Sequence, residues 1–256
     1  MSTARPPTPQ LTWLESGQDF PPVTEAWGHD SPAPGLLAAG GSLDVPTLIK
    51  AYCRGIFPWF SEGQPVLWWS TDPRMVLDTQ AFRFHRSLKK SLRSLLHAER
   101  LEIRMDSDFQ RVIQACASTP RAGQKGTWIT APMVEAYIRL HQADLAHSVE
   151  AWIDGELAGG LYLVNLGGMV FGESMFAWRT DASKLALAAL VAFCRAHGMR
   201  MIDCQQETSH LASMGARAIA RERFIHHVQQ GLPKPSPVWR FSPLYWTELN
   251  LDPSLP

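Results

Sequence analysis

The chain has 256 residues, 45% of them hydrophobic and 19% charged. That is the composition of an ordinary globular protein, long enough for one large domain or a small one joined to a larger. Its formal net charge is zero, which excludes a global basic field, so a nucleic-acid partner would have to meet a local patch.

Four scattered cysteines (Cys53, Cys116, Cys194, Cys204) show no CxxC pair and no Cys/His ligand spacing, which argues for a reduced intracellular protein and against a zinc site. Residues 1–34 are rich in proline and poor in periodicity, and predict an extended or loosely ordered lead-in. The opening MSTARPPTPQ is polar and unlike a signal peptide, so a cytoplasmic location is expected. In GLLAAGGSLDVPTLIKAYCRGIFPWF, Ser42 or Asp44 can cap a helix that begins near Pro46. That helix carries Leu48, Ile49 and Tyr52 on one side and ends at Gly55. The aromatic, turn-rich stretch IFPWFSEGQPVLWWSTDPR follows, with Trp59, Trp68 and Trp69 close together. Residues 35–73 therefore read as a small N-terminal unit, and 74–256 as the main one.

In the main unit FHRSLKKSLRSLL reads as a helix and LEIRM as a strand. Asp106 is placed to cap a helix with Phe109, Val112, Ile113 and Cys116 at helical spacing. After the loop TPRAGQKGTWIT comes a helix opened by Thr130 and Pro132, carrying Val134, Tyr137, Ile138 and His141. Three strands, HSVEAWI, ELAGGLYLVN and MVFGESMF, are joined by turns at Asp154-Gly155 and Gly167-Gly168. A long helix capped by Thr180 or Asp181 and stopped by Gly198 precedes the strand MIDCQ and a helix near ARERFIHHVQQ. LALAALVAFC, in the long helix, is the longest apolar run and is too short to span a bilayer. From LEIRM onward the order β-α-α-β-β-β-α-β-α predicts an α/β fold with a mixed sheet covered by helices. Acyltransferases of the acetyltransferase-like (GNAT-type) superfamily use the same order, an analogy that suggests acyl transfer.

Side chains alternate along a strand, so Asp203 and Gln205 share one face of MIDCQ while Ile202 and Cys204 share the other. GESMF puts Glu173 at the end of the third meander strand. Ligands collect at strand ends of open sheets, so two carboxylates and an amide from two strands are predicted to converge. A nucleophilic Cys204 would need a thiolate, which its neighbour Asp203 disfavours, and Cys204 is read as packing. In the basic helix Arg86, Lys89, Lys90 and Arg93 lie opposite Leu88, Leu92, Leu95 and Leu96, with no acid among them. Such a face is normally just solvated, yet four uncompensated cations suit a phosphate backbone equally well. Lys184 opposes the dipole at the start of its helix, and points to a nearby anion no more strongly than to solvent. Trp59 and Trp128 lie in turn-rich segments, where large aromatics more often line a pocket or an interface. Nine histidines, among them His210 and the pair His226-His227, show no metal-ligand spacing.

Taken in order, GLLAAGGSL, AYCRGIFPWF, LWWSTDPR, HRSLKKSLR, GTWIT, VEAYIRLH, HSVEAW, GESMF, ASKLAL, IDCQ and HLASMGA resemble the bacterial leucyl/phenylalanyl-tRNA–protein transferases. The likeness runs from Gly35 to the helix near His227. It implies a small N-terminal domain followed by an acetyltransferase-like domain, with no metal and no coenzyme. The implied reaction moves Leu or Phe, with Met left open, from aminoacyl-tRNA to the N-terminal Arg or Lys of an acceptor protein, marking that protein for degradation. By the same resemblance Asp203 and Gln205 stand beside the acceptor amine, the acid orienting or polarising the amide, and Glu173 holds a cationic amino group. Glutamine is a poor base, so Gln205 would guide the amine while substrate hydroxyls or water carry its proton.

Tyr52, Trp59, Trp128, Leu161, Val170, Leu190 and Ile202 fall at positions that match the family's apolar pocket for the aminoacyl side chain. Val170 is smaller than the aromatic residue expected there. Arg86, Lys89, Lys90, Arg93 and Lys184 would meet the tRNA; no membrane partner is expected, and a monomer is. Two other readings compete. An acyl-coenzyme A N-acyltransferase would carry a glycine-rich pyrophosphate turn between meander and long helix, and AWRTDASK has no glycine. A non-catalytic tRNA-binding protein would leave Asp203, Gln205 and Glu173 without a task.

Overall fold

The computed structural model describes residues 10–119 and 128–251. Two sheets organise them. The smaller contains β1 (Thr12–Leu14), β2 (Leu36–Gly40), β3 (Phe57–Pro58) and β4 (Leu67–Trp69), in the order β1-β2-β4-β3. Between β2 and β3 in sequence lies helix α1 (Val45–Cys53), capped by Asp44, whose Oδ1 accepts the Thr47 N–H at 2.8 Å, with Pro46 in the first turn. The described part of the lead-in is ordered. β1 pairs in parallel with β2, and Leu14 and Phe20 are buried, Phe20 meeting Trp68 edge-on. A few apolar anchors among prolines are enough to hold it, and they are too sparse to register as a periodicity.

The larger sheet has seven strands in the order β11-β5-β10-β9-β8-β7-β6. They are β5 (Arg74–Asp78), β6 (Leu101–Met105), β7 (Ala146–Ile153), β8 (Glu156–Leu166), β9 (Met169–Ala177), β10 (Met201–Gln205) and β11 (Arg217–Ile219). All neighbours are antiparallel except β9 and β10, so the sheet is mixed, as expected. The predicted meander is β7-β8-β9, with positive φ at Asp154, Gly155 and Gly167 in its two tight turns.

Alternation divides the sheet's side chains between two layers. Leu161, Leu163, Val170 and Ile202 pack with α5 (Ala182–Ala196) and α2 (Arg86–His97). Tyr162, Val164 and Phe171 pack on the other side with α1, α3 (Phe109–Ser118), α4 (Ala131–Gln142) and α7 (Arg221–Gly231). That second core joins the small sheet to the large one, since Leu14, Tyr52 and Trp68 belong to it. A short helix, α6 (Ser209–Ser213), follows β10. Asp108 rather than Asp106 caps α3, accepting the Arg111 N–H at 3.2 Å. Asp106 is taken by β7 instead, through the Ser148 N–H and His147 Nδ1, both at 2.8 Å. Among the described residues no helix is long and apolar enough to cross a membrane.

Candidate active site

β9 and β10 pair only through Val170–Phe171 and Ile202–Asp203, and beyond that point they part. Each strand carries a bulge just where the pairing stops. On β9 the register skips Glu173, because Leu163 faces Gly172 and Tyr162 faces Ser174. On β10 it skips Cys204, because Asp203 faces Val76 and Gln205 faces Met75. Bulges bend a strand and re-aim its side chains. Gln205 has a φ of +53°, a left-handed conformation that a residue with a side chain holds only with support. Support comes from both sides of its backbone: its N–H donates to Asp203 Oδ1 at 3.0 Å, and its carbonyl accepts from Thr71 Oγ1 at 3.1 Å.

Glu173 is the meeting point. Its Oε1 accepts from Tyr52 OH at 2.7 Å and from Gln205 Nε2 at 3.2 Å, and its Oε2 accepts from Tyr137 OH at 3.0 Å. The two phenol oxygens also stand within hydrogen-bond distance of each other, and with one proton apiece they share these three contacts rather than making all at once. Burial raises the Glu173 carboxyl to about 7; the phenol hydrogen bonds pull it down and the Asp203 charge pushes it up. Burial, followed by the Glu173 charge, holds both phenols well above the usual tyrosine range, so they act as neutral donors. Near neutral pH Glu173 is therefore shared between its acid and base forms, the condition that suits proton transfer.

Asp203 lies behind Gln205 and is fully buried. Both its oxygens are engaged by Arg74, Nε to Oδ1 at 2.8 Å and Nη2 to Oδ2 at 2.6 Å. The third nitrogen, Nη1, donates to the Gly55 carbonyl at 3.1 Å, and the rings of Phe57 and Phe224 are centred 4.7 and 4.6 Å from the guanidinium. Arg74 escaped the sequence reading. A single arginine after Asp-Pro looks like loop polarity, and only β5, itself unanticipated, brings it behind Asp203.

A cavity of about 490 Å³ opens where the strands part. Trp59, Trp128, Leu161, Leu190 and Ile202 line it, together with Glu173, Asp203 and Gln205. Two predicted wall residues do not. Tyr52 stands behind Glu173, its hydroxyl committed there and its ring 5.0 Å from that of Phe171. Val170 is fully buried opposite Ile202, where the two strands are still closed. Phe57, Met175 and Leu187 are among further apolar lining residues that were not anticipated. Of the loop TPRAGQKGTWIT, residues 120–127 lie outside the described residues. Cys204 also borders the cavity, but burial and then the Asp203 charge push its thiol up, so it is no thiolate.

The basic helix α2 exposes Arg86, Lys90 and Arg93 and half-buries Lys89, and among the described residues none of the four forms an ion pair. Leu88 and Leu92 anchor its other face. The approach to α2 is tied to the end of α6: the Arg83 N–H donates to the Met214 carbonyl, and His85 Nε2 bonds to the Ser213 carbonyl, both at 2.9 Å. Thr208, His210 and Leu211, at the start of α6, border the cavity. The basic face thus begins one short helix away from it. Lys184 is already engaged, its Nζ donating to Asp181 Oδ1 at 2.8 Å. Among the described residues no group of three or more His, Cys, Asp and Glu is placed to hold a metal ion.

Comparison with known proteins adds a second line of observation. The sequence profile described as "Leucyl/phenylalanyl-tRNA protein transferase" matches residues 76–229, and the profile of that family's N-terminal domain matches residues 41–72. A protein named leucyl/phenylalanyl-tRNA–protein transferase from a Polaromonas species is 62% identical, over 96% of this chain and 97% of its own. One of the same name from Albidiferax ferrireducens is 57% identical, over 100% of this chain and 99% of its own. Among solved structures, an aminoglycoside N-acetyltransferase in complex with coenzyme A aligns with a TM-score of 0.30 and 16% identity, over 56% of this chain and 93% of that one. So slight a likeness carries no argument.

Proposed function

The chain belongs to the leucyl/phenylalanyl-tRNA protein transferase family, and from that premise we infer how its own residues carry aminoacyl transfer from tRNA to a protein N-terminus. The observation behind this reading is that Glu173, Tyr52, Tyr137 and Gln205 meet beside an apolar cavity. The donor is an ester of the terminal ribose, already activated, so the acceptor's α-amine attacks its carbonyl carbon directly. The C–N bond forms, the C–O bond to ribose breaks, and the ribose oxygen leaves with a proton. What the protein must supply is alignment and a path for that proton.

In this reading Gln205 guides the amine, and Asp203 orients Gln205 through its backbone N–H. Glu173, titrating near neutrality, holds the ammonium form until that group gives one proton to water. As carboxylate it then receives the second proton as the amine attacks, and that proton passes on through water or a ribose hydroxyl to the leaving oxygen. Trp59, Trp128, Leu161, Leu190 and Ile202 enclose the side chain of leucine or phenylalanine, with methionine a further donor. Arg86, Lys89, Lys90 and Arg93 take the tRNA backbone. Lys184 adds its charge beside His210 at the cavity rim.

The acceptor begins with Arg or Lys, which the Glu173 carboxylate favours by charge, and the modified protein is marked for degradation. We assign the work to a cytoplasmic monomer, with residues 74–256 as an acetyltransferase-like catalytic domain and 35–73 as its N-terminal domain. The test is direct: incubate the protein with labelled leucyl-tRNA and acceptors that differ only in their first residue. Label is expected on acceptors beginning with Arg or Lys and not on one beginning with Asp. Transfer to none of them refutes the reading.

A further inference from the structure

The contacts of Arg74 reach both sides of the site. Through Gly55 it holds the turn between Tyr52, a donor to Glu173, and Phe57 and Trp59, which wall the cavity. Through Asp203 it holds the oxygen that accepts the Gln205 N–H. We propose that Arg74 is a positioning residue for the transfer reaction, acting through Asp203: it fixes Asp203 so that Gln205 keeps its left-handed backbone and its amide stays on Glu173. The inference rests on the transfer reading above.

Stability alone does not account for the pair. Buried ion pairs are often replaced by apolar residues of similar volume at no net loss, because desolvation offsets their attraction. What the pair supplies is direction. The planar guanidinium meets both Asp203 oxygens and the Gly55 carbonyl at once from one rigid fork. Lysine keeps the charge but has one nitrogen and no plane, so it cannot fix all three distances together. The consequence falls on Gln205, whose φ of +53° depends on what surrounds it.

The test is a double-mutant cycle on kcat for leucine transfer to an Arg-initiated protein, using the full chain. Arg74→Lys should lower kcat about tenfold or more with KM for leucyl-tRNA nearly unchanged. In a Gln205→Ala background the same substitution should cost no more than about twofold, because the residue it acts through is gone. An equal loss in both backgrounds, or no loss in the first, overturns the proposal. Should Arg74→Lys fail to fold, the paired replacement Arg74→Met with Asp203→Leu carries the test. It is expected to keep the thermal midpoint and lose kcat, and wild-type kcat in that variant overturns the proposal equally. Wild-type protein that transfers no leucine refutes the functional reading instead, so the two failures are told apart.

Discussion

Glu173 accepts hydrogen bonds from two phenols and an amide, yet burial still lifts its carboxyl to about 7. The acceptor's α-amine titrates near that range as well, at about 7.7–8.0 when free. Both groups must lose a proton for the reaction proposed here, so activity rises with pH and falls as pH drops through about 7. Below that point the logarithm of kcat/KM for the acceptor should climb with a slope of about two. In Glu173→Gln the slope should drop to about one, leaving only the amine. An initial-rate profile from acid to mildly basic pH decides it, and a slope unaltered by the substitution removes Glu173 from the proton path. Gln205 and Asp203 separate by a different measurement. Either residue changed to Ala should lower transfer more than about tenfold with tRNA affinity retained. Only Asp203→Ala should also lower the thermal midpoint, because it strands the buried Arg74 charge, at a cost of about 3–5 kcal/mol. Wild-type turnover in both variants would remove them from the site.

Among the elements, those with many repeats of one period were the legible ones. Helix α2, with leucines at 88, 92, 95 and 96, and the meander β7-β8-β9 with its Asp-Gly and Gly-Gly turns, stand where periodicity and turn chemistry put them. β5 and β11 were not legible, being five and three residues long, and β5 opens on an arginine that is buried only because Asp203 awaits it. The cap of α3 was misread by two residues, since Asp106 and Asp108 are equally good capping side chains and β7 decides between them. What α2 does is open to a quantitative check. Changing Arg86, Lys89, Lys90 and Arg93 together to Gln should weaken aminoacyl-tRNA binding and flatten its dependence on salt. Each lost phosphate contact removes about one unit from the log–log slope. Transfer from an aminoacyl-adenosine, which lacks the tRNA body, should persist. An unchanged salt slope would make the face a solvated one.

At the scale of the whole molecule, the cavity is a product of parts that no single segment contains. Trp59 arrives from the small sheet, braced by Trp69, whose Nε1 donates to the Trp59 carbonyl at 2.7 Å. Trp128 comes from the segment before α4, Leu161 from β8, Leu190 from α5 and Ile202 from β10. The turn-rich setting of Trp59 and Trp128 made those two readable as wall residues, whereas Leu161, Leu190 and Ile202 were reached only through the family resemblance. The depth at which β9 and β10 part was not readable, and it is that depth which sets Val170 below the wall and Glu173 on it.

An apolar wall has a selective consequence. Leucine, phenylalanine and methionine have an unbranched Cβ, whereas valine and isoleucine carry a second heavy atom there. A close-fitting wall rejects that branch by overlap, yet it separates ligands differing by one methylene by only about 1–3 kcal/mol. Competition among leucyl-, phenylalanyl-, methionyl- and valyl-tRNA on one acceptor should therefore show strong exclusion of valine and modest differences among the other three. Trp128 is half-buried and borders the cavity. Trp128→Ala should accordingly raise KM for leucyl-tRNA and admit valine, while the salt dependence of tRNA binding, set on α2, stays as it was. Equal use of valyl- and leucyl-tRNA by the wild type would show that the cavity does not select the side chain. A variant that only melts earlier, with its preferences intact, would make Trp128 a packing residue and leave selection to Trp59 and the sheet.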